Sequence, residues 1–156
     1  LRTSDMESVD EFLAYACKLE QEAVLRFKEL AEAAKTHGNK EVADFFAQMA
    51  HYSQMHYQQA KERCGFHDLP EMKPQDFQWP EMESPEAAAI WGADPLMGVQ
   101  EAMRLALDAE TRGYEFYKSI LDSTSDPEIR AMAQEFTEEE AEHVEAIQRW
   151  IVRLAA

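Results

Sequence analysis

The chain has 156 residues, enough for one domain with a sizeable core. It carries 15 Lys and Arg against 31 Asp and Glu, and a net charge of −16 argues against nucleic acid or an anionic membrane as partner. No apolar run approaches the roughly 18 residues of a membrane span, and the first residues show no signal-peptide pattern. The two cysteines, Cys17 and Cys64, form no CxxC, which excludes a zinc ribbon or rubredoxin-type iron centre and fits a reducing cytoplasm.

Few β-branched runs and abundant Ala, Glu, Leu, Met and Gln predict an all-α protein. Ser4-Asp-Met-Glu7 and Ser8-Val-Asp-Glu11 both read as capping boxes and open a first helix over 5–36. His37-Gly38-Asn39 is a stop and restart, and a second helix follows over 40–63. A connection over 64–94 is rich in proline and aromatic residues and too long for a tight turn. Inside it Ser84-Pro85 marks a short helix, and Trp79 and Trp91 are expected to lock it on the bundle or at a dimer interface. Asp94-Pro95 opens a third helix over 95–122, and Asp126-Pro127 a fourth over 126–154. Two antiparallel hairpins, 5–63 and 95–154, joined by one long crossover describe a single four-helix bundle spanning 1–156.

The hairpins read as copies. "LEQEAVLRFKELAE" (19–32) aligns with "AETRGYEFYKSILD" (109–122), so Glu20 matches Glu110 and Phe27 matches Tyr117. In the second helices of each hairpin, Ser53 matches Glu140 and His56 matches His143. Glu20 and His56 each lie about 18 residues from the first turn, roughly 27 Å along antiparallel neighbours. Glu110, Glu140 and His143 lie about 15 to 18 residues from the second turn. All five groups are therefore expected at one level, mid-bundle.

Glu140 and His143, three residues apart, share a helix face whose other members are mostly apolar. The stripes around Glu20, Glu110 and His56 are apolar as well. Carboxylates in apolar stripes are costly to bury unless paired or bound to metal. Taken singly, Glu140 in the run "EEEAE" reads as a surface acid and His143 as an ordinary histidine. Their conjunction with Glu20, Glu110 and His56 points to a metal site. Carboxylate–imidazole ligation suits Fe, Mn or Zn and does not choose between them.

From about residue 8 to 154 the sequence resembles the rubrerythrin branch of the ferritin-like superfamily. That pattern is a Glu from each of two helices and E-x-x-H from each of the other two, around two irons. The resemblance implies Glu20 and Glu110 as bridging ligands and Glu140, His143 and His56 as terminal ones. It departs at Ser53, which stands where the second E-x-x-H has its Glu, and at Gly113, where rubrerythrins carry a further glutamate. These 156 residues include no rubredoxin domain of the kind that follows the bundle in rubrerythrins. Two divalent metals bring +4 against −3 from three carboxylates. Solvent or a small carboxylate fills the vacancy, or an acid of the crossover such as Glu81, Glu83 or Glu86 does, or only the side with Glu110, Glu140 and His143 binds a metal well.

The resemblance implies a ferritin-like di-iron oxidoreductase that reduces peroxide or oxidises Fe(II) with O₂, with a separate electron donor and a homodimeric state. Ser53 favours an alternative, a metal-binding or iron-handling protein without turnover. A third reading is a metal-free interaction module whose inward acids are protonated. Tyr52, Tyr114 and Tyr117 read as bundle core with a polar tip, His51 as surface, and Cys17 as a small core residue one turn from Glu20.

Overall fold

The computed structural model describes residues 8–65 and 96–155, nearly all of them in four α-helices with no strand among them. Helix α1 spans Val9–Thr36. Ser8 lies in extended backbone as its N-cap, and its hydroxyl accepts the Glu11 N–H at 3.4 Å. The helix therefore begins at Val9 rather than at residue 5. The second capping box is the one used; the Ser4 box lies outside the described residues. Gly38 takes a left-handed φ of 75° in the turn, a conformation that favours glycine. Asn39 then opens α2, Lys40–Cys64.

Helix α3 spans Val99–Ser123 and so starts four residues later than the Asp94-Pro95 signal implies. The reason is tertiary. Met97 is buried and its carbonyl accepts the Asn39 side-chain amide at 2.8 Å, while Gly98 caps the helix in extended backbone. A side chain of the first turn thus holds the chain extended just before α3. Helix α4, Pro127–Ala155, follows its sequence signal closely. The Asp126 carboxylate accepts the N–H groups of Glu128 and Ile129 at 2.9 and 3.0 Å, and Pro127 occupies the first helical position. The crossover from 66 to 95 lies outside the described residues, with Ser84-Pro85, Asp94-Pro95, Trp79, Trp91, Glu81, Glu83 and Glu86.

Helices α1 and α2 pack intimately, as do α3 and α4, and the hairpins meet through α2 on α3 and α1 on α4. The core falls into two apolar clusters. One joins Ala23 and Phe27 of α1, Phe46 and Met49 of α2, Ala106 and Ala109 of α3, and Ile147 of α4. The other joins Phe12 and Leu19 of α1, Ala60 of α2, Tyr117 and Ile120 of α3, and Ile129 and Phe136 of α4. Each large apolar side chain so buried contributes about 1.5–3 kcal/mol. Along every helix the same switch occurs: one cluster ends and the other begins at the position of Glu20, Ser53 and His56, Glu110, or Glu140 and His143. No helix among the described residues is long and apolar enough to cross a membrane.

Candidate metal centre

The layer between the two clusters is polar and closed. Glu20, Ser53, Glu110 and Glu140 are all buried, with Glu140 wholly inaccessible. His56 and His143 are mostly buried beside them, their imidazoles stacked with ring centres 4.5 Å apart and planes 17° from parallel. His56 Nδ1 lies 3.2 Å from Glu140 Oε1 and 3.6 Å from Glu20 Oε1, and His143 Nδ1 lies 3.9 Å from Glu110 Oε2. The structure thus brings the five side chains expected at one level into a single layer. Donor atoms of His56, Glu140 and His143 all lie within 4.8 Å of one another.

Three atoms of this layer are buried without a hydrogen-bond partner: Glu110 Oε2, Glu140 Oε2 and His143 Nδ1. Buried polar atoms are rarely left so, because each costs its full desolvation. Burial pushes the Glu140 carboxyl well above its ordinary value of 4.5, and the nearby carboxyls of Glu110 and Glu20 push it further. Burial also holds His143 below its ordinary 6.5, against the opposing pull of Glu110. Without a cation the layer therefore favours a protonated Glu140 and a neutral His143. A divalent metal reverses the preference at Glu140 and keeps the one at His143, since it binds carboxylate and neutral imidazole. Unpartnered carboxylate oxygens and an unpartnered imidazole nitrogen in one buried layer fit a metal of the Fe, Mn or Zn class.

A family model described as Rubrerythrin matches residues 11–151. The chain belongs to the rubrerythrin family. A solved structure with 36% identity is an uncharacterized conserved protein from Magnetospirillum magnetotacticum MS-1, matched with a TM-score of 0.72 over 94% of this chain and 95% of that one. The fold is accordingly the ferritin-like four-helix bundle. No curated protein matches significantly.

Within the rubrerythrin pattern, Ser53 is buried at the matched place, so the missing carboxylate leaves a short hydroxyl in the closed layer. Gly113 is likewise buried inside α3. One acid escaped the sequence reading. Glu139, half-buried, reaches His56 from the side facing away from Glu140, with Oε2 3.9 Å from Nε2. The Gln59 amide, oriented to donate, lies 2.7 Å from the same carboxylate. Burial pushes the Glu139 carboxyl above its ordinary value and His56 draws it back. In "EEE" successive positions turn by about 100°, so Glu138 is exposed, Glu139 half-buried and Glu140 buried. Only that rotation distinguishes them.

Other readings resolve as follows. Tyr117 is core, as expected, and its hydroxyl also donates to Glu20 Oε1 at 3.2 Å. Tyr52 packs its ring 5.3 Å from His143, and its hydroxyl accepts from Gln48. Tyr114 is partly buried and His51 exposed. Cys17 is half-buried on the second cluster, as a small core residue would be, but it lies against Cys64.

Proposed function

We propose that the polar layer holds two non-haem irons and that the protein is an oxidoreductase reducing peroxide with electrons from a separate donor. Oxidation of Fe(II) by O₂ is the related activity of the same site. Glu20 and Glu110 would hold the irons as shared ligands, and Glu140, His143 and His56 as terminal ones. The observation that carries this reading is one buried polar layer inside an otherwise apolar bundle, which holds three unpartnered atoms, Glu110 Oε2, Glu140 Oε2 and His143 Nδ1, and sets ligand atoms of His56, Glu140 and His143 within 4.8 Å of one another. Family membership supports non-haem iron as the metal.

Bound iron would supply the redox chemistry with peroxide, passing on electrons from the donor. The chain's own residues prepare the layer. Tyr117 fixes one oxygen of Glu20 and so orients that carboxylate. Glu139 Oε2 lies 3.9 Å from the outer Nε2 of His56, close enough to favour a proton on that nitrogen, while Nδ1 is turned toward Glu20 and Glu140. Phe136 and Ala60 border the cleft with Glu20 and His56 and keep bulk water from the layer. Glu140 gives up its proton on loading, so metal uptake releases acid.

Ser53 favours a second reading, a metal-binding protein without turnover, because it removes one compensating charge. The deciding experiment is elemental analysis after anaerobic Fe(II) loading, followed by stopped-flow peroxide oxidation over several turnovers. About two irons per chain with repeated turnover supports the oxidoreductase. About one metal, or zinc that iron cannot displace, supports the second reading, and no metal with His143→Ala leaving stability unchanged sinks both. A single domain over 1–156, a homodimer and a cytoplasmic location complete the proposal.

A further inference from the structure

Cys17 and Cys64 lie on adjacent helices, 47 residues apart in sequence, with their Sγ atoms 3.3 Å apart. Both are reduced and half-buried. A disulfide needs sulfurs at about 2.05 Å, so closure asks for an approach of only about 1.2 Å. The second hairpin shows what packing alone would place here. The repeat offsets carry Cys17 to Leu107 and Cys64 to Ile151, both apolar residues packed on the other cluster. The first hairpin has two facing thiols instead, one of them a single turn from Glu20.

We propose that Cys17 and Cys64 form a reversible dithiol–disulfide redox centre, oxidised by peroxide and reduced by a small dithiol. One sulfur attacks a peroxide oxygen, the O–O bond breaks, and the sulfur becomes a sulfenic acid as the first water leaves. The second sulfur attacks the first, the S–S bond forms, and the second water leaves. Two electrons pass from sulfur to oxygen, and the two thiol hydrogens end in the two waters. A dithiol returns the pair by exchange, taking the disulfide onto itself.

Local chemistry sets the pace of the reaction. Cys64 Sγ donates to the Ala60 carbonyl at 3.1 Å. Burial and the facing Cys64 push the Cys17 thiol up to about 12, and Lys61 offsets this in part. Thiolate is therefore scarce at neutral pH and the pair reacts slowly. Oxidation to equilibrium, rather than an initial rate, is the decisive readout. The centre does not depend on the metal reading, because neither thiol is one of its ligands.

The test uses the full chain, stripped of metal by chelator and treated with hydrogen peroxide at one equivalent until reaction stops. The expected product is a chain 2 Da lighter and not cross-linked to another chain, with no thiol open to maleimide under denaturing conditions, and dithiothreitol restores both thiols. Its melting temperature should rise by about 5 °C or more over the reduced chain, since the bond closes a long loop. Cys17→Ser and Cys64→Ser should each keep one maleimide-reactive thiol per chain and lose the thermal shift. Two alkylatable thiols after exhaustive oxidation, a cross-link only between chains, or a gain of oxygen mass without S–S formation would each overturn the proposal. Failure to bind iron would leave these outcomes unchanged, so the two readings fail separately.

Discussion

Glu20 and Glu110 stand at matched places in two copies of one hairpin, yet their surroundings differ. Tyr117 donates a hydroxyl to Glu20, whereas the residue matched to Tyr117 is Phe27, which has no hydroxyl to give. Glu110 Oε2 accordingly lies unpartnered in the layer. On the second helices, Glu140 and His143 form a complete carboxylate–imidazole pair in one hairpin, and Ser53 leaves His56 without its companion in the other. The first hairpin leans instead on its neighbours, since His56 takes Glu140 on one nitrogen and Glu139 on the other. Duplication of a frame therefore fixes where polar groups stand, while the chemistry at each place is set by single side chains.

The sharpest test of this asymmetry is removal of each imidazole. His143→Ala should lower metal affinity by about 100-fold or more, and His56→Ala by less, since only the second hairpin has a complete pair. Calorimetric titration with Fe(II) or Co(II) reads both, and equal losses would show that the hairpins contribute alike. Restoring symmetry is the converse experiment. Ser53→Glu should raise metal affinity about tenfold or bring stoichiometry to two, while costing the metal-free chain about 1–3 kcal/mol for another buried carboxyl. Unchanged binding would mean that another group already serves that position. Glu139→Gln should weaken metal binding about tenfold, the usual scale for a residue that orients a ligating histidine. A change confined to stability would rule out that orienting role.

Acidity offers a further discriminator. Glu140 has a raised pKa in the folded chain, so it holds a proton that the unfolded chain loses above about 4.5, and metal-free stability falls as pH rises from there. His143 has a lowered pKa, so its contribution is lost as pH falls below 6.5. The two slopes oppose each other between 4.5 and 6.5. Chelator-treated protein should melt progressively lower as pH rises above the ordinary carboxylate range, and Glu140→Gln should flatten that trend. Metal should reverse it, because loading expels the proton. The smallest effect is expected from Tyr117→Phe, which removes one hydrogen bond to Glu20 and should cost about 1 kcal/mol in chemical denaturation. No change there would mean that Glu20 finds another donor.

Much of this molecule can be read from its sequence because its determinants are local. Ser8 and Asp126 cap the helices they precede, and counting residues from each turn brings Glu20, His56, Glu110, Glu140 and His143 to one level. What cannot be read is what another helix decides. The start of α3 is set by Asn39 holding the Met97 carbonyl, a contact between residues 58 apart. Glu139 differs from its neighbours only by rotation about the helix axis. The cysteine pair escapes level counting for a geometric reason. Cys64 lies about five residues farther from the Gly38 turn than Cys17. Side chains lean toward the start of their own helix, so on antiparallel neighbours these two lean toward each other and the gap closes.

The division of the apolar core has a mechanical consequence. Each cluster draws residues from all four helices, so neither hairpin owns a core and both ends of the bundle are clasped. The waist between them is held by carboxyls and imidazoles. Helices usually loosen from their tips inward. Here the section that lacks apolar packing lies at mid-length, and a cation bound there would act as a keystone between the two clusters.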